Sequence, residues 1–298
     1  MFWTEHIAKL YRGTRPLPAN EAKELLRMIV KLAESPGCSR IADVGSGVGR
    51  VSGSLRGSRG RFTVDCFDES RAMLSEARRL LGDDPRFSLR ECDCSARSFL
   101  QQRRPYDTVI CHWVANTTER WRELLINAAR LVKAEGTLVW FDEGGPIYRW
   151  IDGDVGGVED VASAFWQSFY EGLGVLENPR GLRRRRGLAL GDAQSDFLSG
   201  FGMTVRKLTD HRRTWVIRRS LRDLWNSVVR LKAFSNFDLI QERVYARAVR
   251  VSRDFLVRYP VASAKPIELR FSSCPVVAQW RQEESRVGAW PVEVGALW

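Results

Sequence analysis

A run of glycines and two acidic residues carry the first chemistry in this 298-residue chain. The segment Ile41-Ala42-Asp43-Val44-Gly45-Ser46-Gly47-Val48-Gly49-Arg50 reads as a strand entering a glycine-rich turn that leaves as a helix. Glycines there let the backbone fold tightly and approach a ligand, and a helix start offers N–H groups. The spacing is G-x-G-x-G, with Arg50 where a dinucleotide fingerprint has its third glycine, which argues against a pyrophosphate. No Gly-Lys-Ser/Thr ending follows, which argues against a nucleoside triphosphate. A plain tight turn would also explain such a loop, so its context decides. Asp68 ends the next strand, roughly 20 residues on, where a carboxylate can accept both hydroxyls of a ribose. Asp93 ends a third strand on the same rim.

The elements that must position these residues follow from periodicity. Short apolar runs at Arg40–Val44, Phe62–Phe67, Phe87–Cys92, Thr108–Val114 and Thr137–Phe141 alternate with helical patterns, the signature of β-α units around a parallel sheet. Ser70 stands as an N-cap before Met73, Leu74, Ala77, Leu80 and Leu81. Trp121, Leu124, Leu125, Ala128 and Leu131 repeat that spacing, and Asn20 precedes a helix carrying Leu25, Leu26, Ile29 and Val30. After Asp142 the alternation stops. A helix with Val161, Ala162, Phe165, Trp166 and Phe169 on one side leads into the Arg- and Gly-rich stretch Glu177–Asp192. A helix at Ala193–Ser199 and a strand at Thr204–Leu208 resume the pattern. Helices follow around Leu221–Val229 and over Asp238–Arg258, the latter with Arg243, Arg247 and Arg250 opposite Val244, Ala248, Val251 and Phe255. A strand near Ile267–Phe271, extendable to Trp280, closes the sheet. This divides the chain into an N-terminal helical segment (1–38), a ligand-binding core (39–144), a cap insertion (145–192), the rest of the sheet with a helical cap at 210–262 (193–281), and a tail (282–298).

Composition narrows the classes. With 44% hydrophobic residues the chain can bury a full core, which excludes a disordered or fibrous protein. No stretch approaches the roughly 20 apolar residues that span a bilayer, and the first residues lack a secretory pattern, so a cytoplasmic protein without membrane partners is expected. Six scattered cysteines read as free thiols, with all but Cys38 and Cys274 in or beside strands. Cys92 and Cys94 share a strand face, but only three histidines are present and no second ligand pair, so no metal site is expected. The net charge of +11, largely arginine and including Arg183 to Arg186, favours anionic partners without selecting one.

The motifs Asp43–Arg50 (DVGSGVGR), Phe67–Leu74 (FDESRAML), Arg90–Cys94 (RECDC), Tyr106–Val114 (YDTVICHWV) and Leu131–Gly144 resemble the class I S-adenosylmethionine (SAM)-dependent methyltransferases, well over 39–144 and loosely over 193–281. The resemblance implies an α/β fold: a doubly wound, mostly parallel, Rossmann-like sheet of seven strands with helical cap insertions. It implies that the loop Gly45, Ser46, Gly47 and Gly49 backs the methionine moiety of SAM, that Asp68 holds the ribose, and that Asp43 orients the loop. It further implies that Met73 packs near the adenine, that Asp93 and the Cys94 backbone read the adenine edge, and that His112 and Trp113 touch cofactor and substrate. The Asn-Pro-Pro-Tyr and Pro-Cys sequences of the DNA methylases are missing after the fourth strand, which leaves a small-molecule or peptide substrate.

Methyl transfer needs an unprotonated nucleophile aligned with the sulfonium methyl, so positioning and desolvation carry much of it. His112 is the leading candidate for a general base, since imidazole titrates near neutral pH, and it can equally serve as a structural hydrogen-bonding residue. Asp142 and Glu143 are further candidates, ahead of His211. For substrate contacts the candidates are Tyr148, Trp166, Phe169 and Trp225, although helical spacing favours ordinary lid core as the role of most of the aromatics. The expected function is methylation of an O, N or C nucleophile on a small metabolite. The alternatives are RNA methylation through the basic surface, a non-methyl reaction of SAM such as aminopropyl transfer or cyclisation, and a non-catalytic binding scaffold.

Overall fold

A computed structural model describes residues 4, 5, 8, 9, 11, 24, 27–29, 31, 39–58, 60–101, 104–112, 114, 115, 117–150, 158–174, 192–230 and 240–281. Its frame is an eight-stranded sheet with the order β3-β2-β1-β4-β5-β8-β6, and β7 also paired to β8. The parallel part comprises β1 (Ser39–Val44), β2 (Phe62–Asp68), β3 (Phe87–Glu91) and β4 (Tyr106–Ile110), with β5 (Val132–Trp150) beside β4. The antiparallel part comprises β6 (Met203–Lys207), β7 (Arg213–Ser220) and β8 (Pro266–Trp280).

Apolar side chains of one strand go alternately to two cores. Ile41, Val64, Cys66 and Ile110 pack with Val51 and Leu55 of α1 (Arg50–Leu55) and Ala77 and Leu81 of α2 (Arg71–Leu81). Ala42, Val44, Phe67 and Val109 face the other way, onto Trp121, Leu124, Leu125 and Ala128 of α3 (Trp121–Arg130) and Leu198 of α5 (Ala193–Gly200). This makes the sheet doubly wound. Ser70 caps α2 as expected, its hydroxyl accepting from the Met73 amide at 3.2 Å. Of the N-terminal helix, Ile29 is described and buried, whereas Asn20, Leu25, Leu26 and Val30 lie outside the described residues.

Three departures from the sequence reading concern the second half of the chain. First, β5 does not end at Phe141: it runs to Trp150, so 145–150 are strand rather than the start of an insertion. Asp-Glu-Gly-Gly-Pro reads locally as a turn, but pairing with β8 overrides that preference, and the register breaks only between Gly144 and Ile147, where Pro146 has no amide to give. Second, β7 lies inside the stretch read as a helical cap. Trp215 is buried while its neighbours Thr214 and Val216 are exposed, a half-buried alternation obscured by the arginines around it. Among the described residues that makes eight strands, β7 being added to the seven expected. Third, Cys274 is buried within β8. Cys66, Cys94 and Cys111 are buried too, and the described cysteines are free thiols.

Because β5 is parallel to β4, its continuation past Phe141 carries the sheet beyond the carboxyl rim, where 147–150, 266–273 and β7 form a three-stranded antiparallel extension. Helices cover it: α4 (Val158–Gly172), α6 (Leu221–Leu224) continuing as a wider turn over Trp225–Val229, and α7 (Glu242–Arg258). Phe165, Phe169, Leu221, Tyr245, Ala248 and Ile267 form the core of this lobe. Gly172 lets α4 and α7 touch, since a Cβ there would stand 2.5 Å from Ala248 Cα.

Candidate functional site

The parallel registers set Val44 opposite Phe67, Asp43 opposite Ile110 and Asp68 opposite Glu91, so β1 to β4 end within about one residue of each other along a single rim. The strand order reverses between β1 and β4, the point at which open α/β sheets bind ligands. A cleft opens there, lined among others by Asp43, Gly45, Ser46, Gly47, Asp68, Met73, Asp93, Cys94 and His112.

The glycine turn is fixed by its backbone. Gly45 and Gly47 have φ of 69° and 55°, values that side chains rarely adopt. A Cβ on Gly45 would sit 2.3 Å from Val114 Cγ2, whereas one on Gly47 would meet nothing within 4 Å. The Ser46 amide donates to Phe67 O at 2.9 Å, and its buried hydroxyl has no hydrogen-bond partner among the described residues. Gly49 does not line the cleft: also left-handed, at φ 74°, it is buried against Ala77 and lets α1 approach α2.

Asp68 accepts the Gly47 amide on Oδ2 at 2.8 Å and the Ser70 amide on Oδ1 at 2.9 Å. Burial pushes its carboxyl up to about 6, against the lowering effect of those two amides, with Glu69 adding repulsion. Asp43 is fully buried and takes the Ser52 hydroxyl on Oδ2; burial, moderated by that bond and reinforced by the charge of Asp68, lifts it also to about 6. Cys66 donates in turn to Ser52 Oγ at 3.3 Å.

After β3 the chain turns sharply. Asp93 Oδ1 accepts the Ser95 amide at 2.8 Å, and Oδ2 is 3.1 Å from Arg120 Nη1. Burial pulls the Asp93 carboxyl upward, but the Ser95 bonds and the Arg120 charge outweigh it and hold the group below the usual range. The Cys94 thiol is raised well above its ordinary value by a hydrogen bond with Cys92 and by burial. Met73 joins Ala8 and Val48 in a small apolar cluster with Tyr11 packed against it. His112 lies edge-on to Phe141, ring centres 5.0 Å apart. Trp113 lies outside the described residues.

Asp142, Glu143 and Tyr148 belong to β5, their backbones opposite Cys274, Ser273 and Leu269, and their side chains lie outside what the structure describes. Four other expected site residues are not brought to the cleft. Phe169 is wholly buried in the lobe core, Trp166 packs edge-on against it, and the Trp225 indole donates to Ser252 Oγ at 3.1 Å. These three are lobe core: their helical spacing directs them to the α4–α7 contact rather than the rim. His211 is exposed in the short turn Thr209–His211, also away from the cleft. Arg243, Arg247 and Arg250 are exposed, but Arg247 Nε donates to Gly172 O at 2.8 Å and so closes the end of α4.

Sequence reasoning missed several contributors. Tyr11, Thr117 and Thr118 line the cleft from segments without periodicity, and Glu69, Ser95 and Val114 line it from within or beside the motifs. Asn127, which bonds the backbone after β3, was missed although a signal was present: a polar residue on the apolar face of α3, beside Leu124 and Ala128. Among the described residues no three His, Cys, Asp or Glu side chains gather into a metal-holding group, and no helix is long and apolar enough to cross a membrane.

Residues 41–136 match the model of a family described as a methyltransferase domain. No curated protein matches the sequence. Among solved structures, the YcgJ protein of Bacillus subtilis is 11% identical over 86% of this chain and 98% of its own, with a TM-score of 0.50. A candidate methyltransferase from Bacillus halodurans C-125 is 14% identical over 85% and 97%, with a TM-score of 0.49. A SAM-dependent methyltransferase from Geobacter sulfurreducens, solved with S-adenosyl-L-homocysteine, is 14% identical over 94% and 100%, with a TM-score of 0.45. At these identities the likeness concerns the fold, and the YcgJ comparison supports the doubly wound α/β architecture.

Proposed function

From the premise that residues 41–136 form a class I SAM-dependent methyltransferase domain with SAM as its cofactor, we propose that the chain methylates an O, N or C nucleophile of a small metabolite, in the cytoplasm. The observation that carries the reading is the single cleft joining the Gly45–Gly47 turn, the buried carboxylate of Asp68 and His112.

The residues present suit SAM. The buried Ser46 hydroxyl still has hydrogen-bonding capacity, the open space over Gly47 admits a ligand close to the backbone, and Asp68 sets a carboxylate directly beside the turn. When bound, SAM supplies an electrophilic methyl on a sulfonium. In our reading Gly45, Ser46 and Gly47 hold the methionine end, and Asp68 accepts the ribose hydroxyls while its own amide bonds keep it in place. Met73 packs on the adenine, and Asp93 with the Cys94 backbone reads its edge. Asp43, bonded to Ser52 under the turn, orients the loop. Trp113 keeps its expected cofactor contact as part of this reading.

His112 is our candidate to take the proton from the acceptor, because among the described residues it is the histidine that lines the cleft. A metabolite is preferred to an RNA because the described cleft lining carries Asp43, Asp68, Glu69 and Asp93 against one arginine, Arg50, whereas an RNA needs an open basic approach. Labelled SAM incubated with the protein and separate metabolite and RNA fractions tests the reading. Label in the metabolite fraction is expected. Label in RNA, or SAM consumed without methylated product, overturns it in favour of the RNA or non-methyl alternative.

A further inference from the structure

We propose that Asn127, together with Arg120, is a positioning residue that sets which nucleobase the cleft accepts, by holding the backbone after β3 from behind. The inference rests on the cofactor reading above, which gives that backbone the task of reading the adenine edge.

Asn127 stands on α3 and is buried. Its side-chain NH2 donates to Cys94 O at 2.9 Å and to Ala96 O at 3.0 Å. Both partners are carbonyls, so only the nitrogen end of the amide can face them. Arg120, just before the helix, completes the grip: Nη2 donates to Ser95 O at 2.9 Å, and Nη1 holds Asp93 Oδ2 at 3.1 Å. The Asp93 carbonyl accepts the Ala96 amide at 3.2 Å. Four consecutive carbonyls, from Asp93 to Ala96, are therefore engaged within the protein.

This arrangement has a consequence for recognition. With the carbonyls of Cys94, Ser95 and Ala96 held by Asn127 and Arg120, and the Ser95 and Ala96 amides spent on Asp93, the Cys94 amide is left as the donor for the cleft, beside an Asp93 carboxylate fixed by Arg120 and Ser95. A donor beside an acceptor matches adenine, whose ring nitrogen accepts and whose amino group donates. Hypoxanthine inverts both. Losing Asn127 leaves the buried Cys94 carbonyl without its donor, and the turn must rotate to find another. α3 is itself anchored by Trp121, whose ring meets Phe197 of α5 edge-on at 5.3 Å, so it offers a fixed backstop.

The test compares S-adenosylhomocysteine with S-inosylhomocysteine by calorimetry on the full chain. Wild-type protein should prefer the adenosyl compound. Asn127→Leu should cut that preference by roughly tenfold, the effect of one lost buried hydrogen bond. Arg120→Leu, at an exposed position, should lower it in the same direction by a smaller factor. If Asn127→Leu does not fold, Asn127→Ser, too short to reach both carbonyls, is read for the same ratio. An unchanged ratio in the folded variants, even with a lowered melting temperature, overturns the proposal and makes Asn127 a residue of stability alone. Wild-type protein that binds neither compound, or both equally, defeats the cofactor assignment instead.

Discussion

The Gly47 amide donates to Asp68 Oδ2 at 2.8 Å, joining the turn after β1 to the carboxylate that ends β2. The two ends of the proposed cofactor site therefore move as one, and damage to either should be felt by the other. Gly47→Arg fills the open space over the turn, and Asp68→Ala removes the ribose acceptor and orphans the Gly47 and Ser70 amides. Each should weaken SAM binding by at least roughly tenfold in calorimetry, one charge-assisted bond being worth that much. Unchanged affinity in both would place the cofactor elsewhere.

Gly45 is constrained twice, by its left-handed φ of 69° and by Val114 Cγ2 at 2.3 Å from any added Cβ. Gly45→Ala should destabilise the protein by about 1–3 kcal/mol. Adding Val114→Gly removes both clashing atoms, Cγ2 and the Cβ at 2.4 Å, and leaves the φ strain, so the double variant should recover part of the loss when measured against Val114→Gly alone. Full recovery in denaturant melts would show that backbone conformation contributes nothing here.

The buried carboxyls of Asp43 and Asp68, both near 6, make opposite predictions for stability and binding. Raised above their ordinary value near 3.8, they favour proton uptake by the folded state. Their destabilising effect is complete above pH 6 and fades as the pH falls from about 6 toward 4. Through these two groups the ligand-free protein should gain stability over that window. SAM affinity should fall over the same window, because a protonated Asp68 is a poorer acceptor for ribose hydroxyls. Thermal melts with and without SAM across the pH range measure both, and a ligand-induced shift that stays constant down to pH 4.5 would contradict the role given to Asp68.

Turnover should persist after dialysis against a chelator and should not rise on adding magnesium or zinc. Activity lost to the chelator and restored by either ion would reveal a metal requirement.

The lobe aromatics and the surface arginines separate stability from substrate. Trp225→Ala removes the bond to Ser252 and core packing, and should lower stability by about 2–4 kcal/mol. Arg243→Ala with Arg250→Ala should leave turnover and its salt dependence unchanged. Arg247 is excluded from that pair because it caps α4. A pair of arginine changes that abolishes turnover and flattens its salt slope would instead favour an RNA substrate.

Much of the parallel half could be read locally. Ile41 to Val44, the capping serine Ser70, and the glycines that must be left-handed each declare their conformation through their own φ/ψ limits or burial pattern, and the rim position of Asp68 and Asp93 follows from strand direction alone. The antiparallel half could not be read that way. Asp142 to Trp150 is strand because β8 lies alongside it, Arg213–Ser220 because it pairs with that same β8, and both partners are distant in the chain. The same physics explains the misplaced aromatics: helical spacing shows that Trp166, Phe169 and Trp225 share a buried face, but not what covers it, and in the structure α7 and the wider turn do so rather than a ligand. Asn127 marks the boundary between the two kinds of information. Its polarity on an apolar face was visible in the sequence, but the carbonyls it holds come from residues 31 and 33 positions earlier, and only the folded chain brings them within reach.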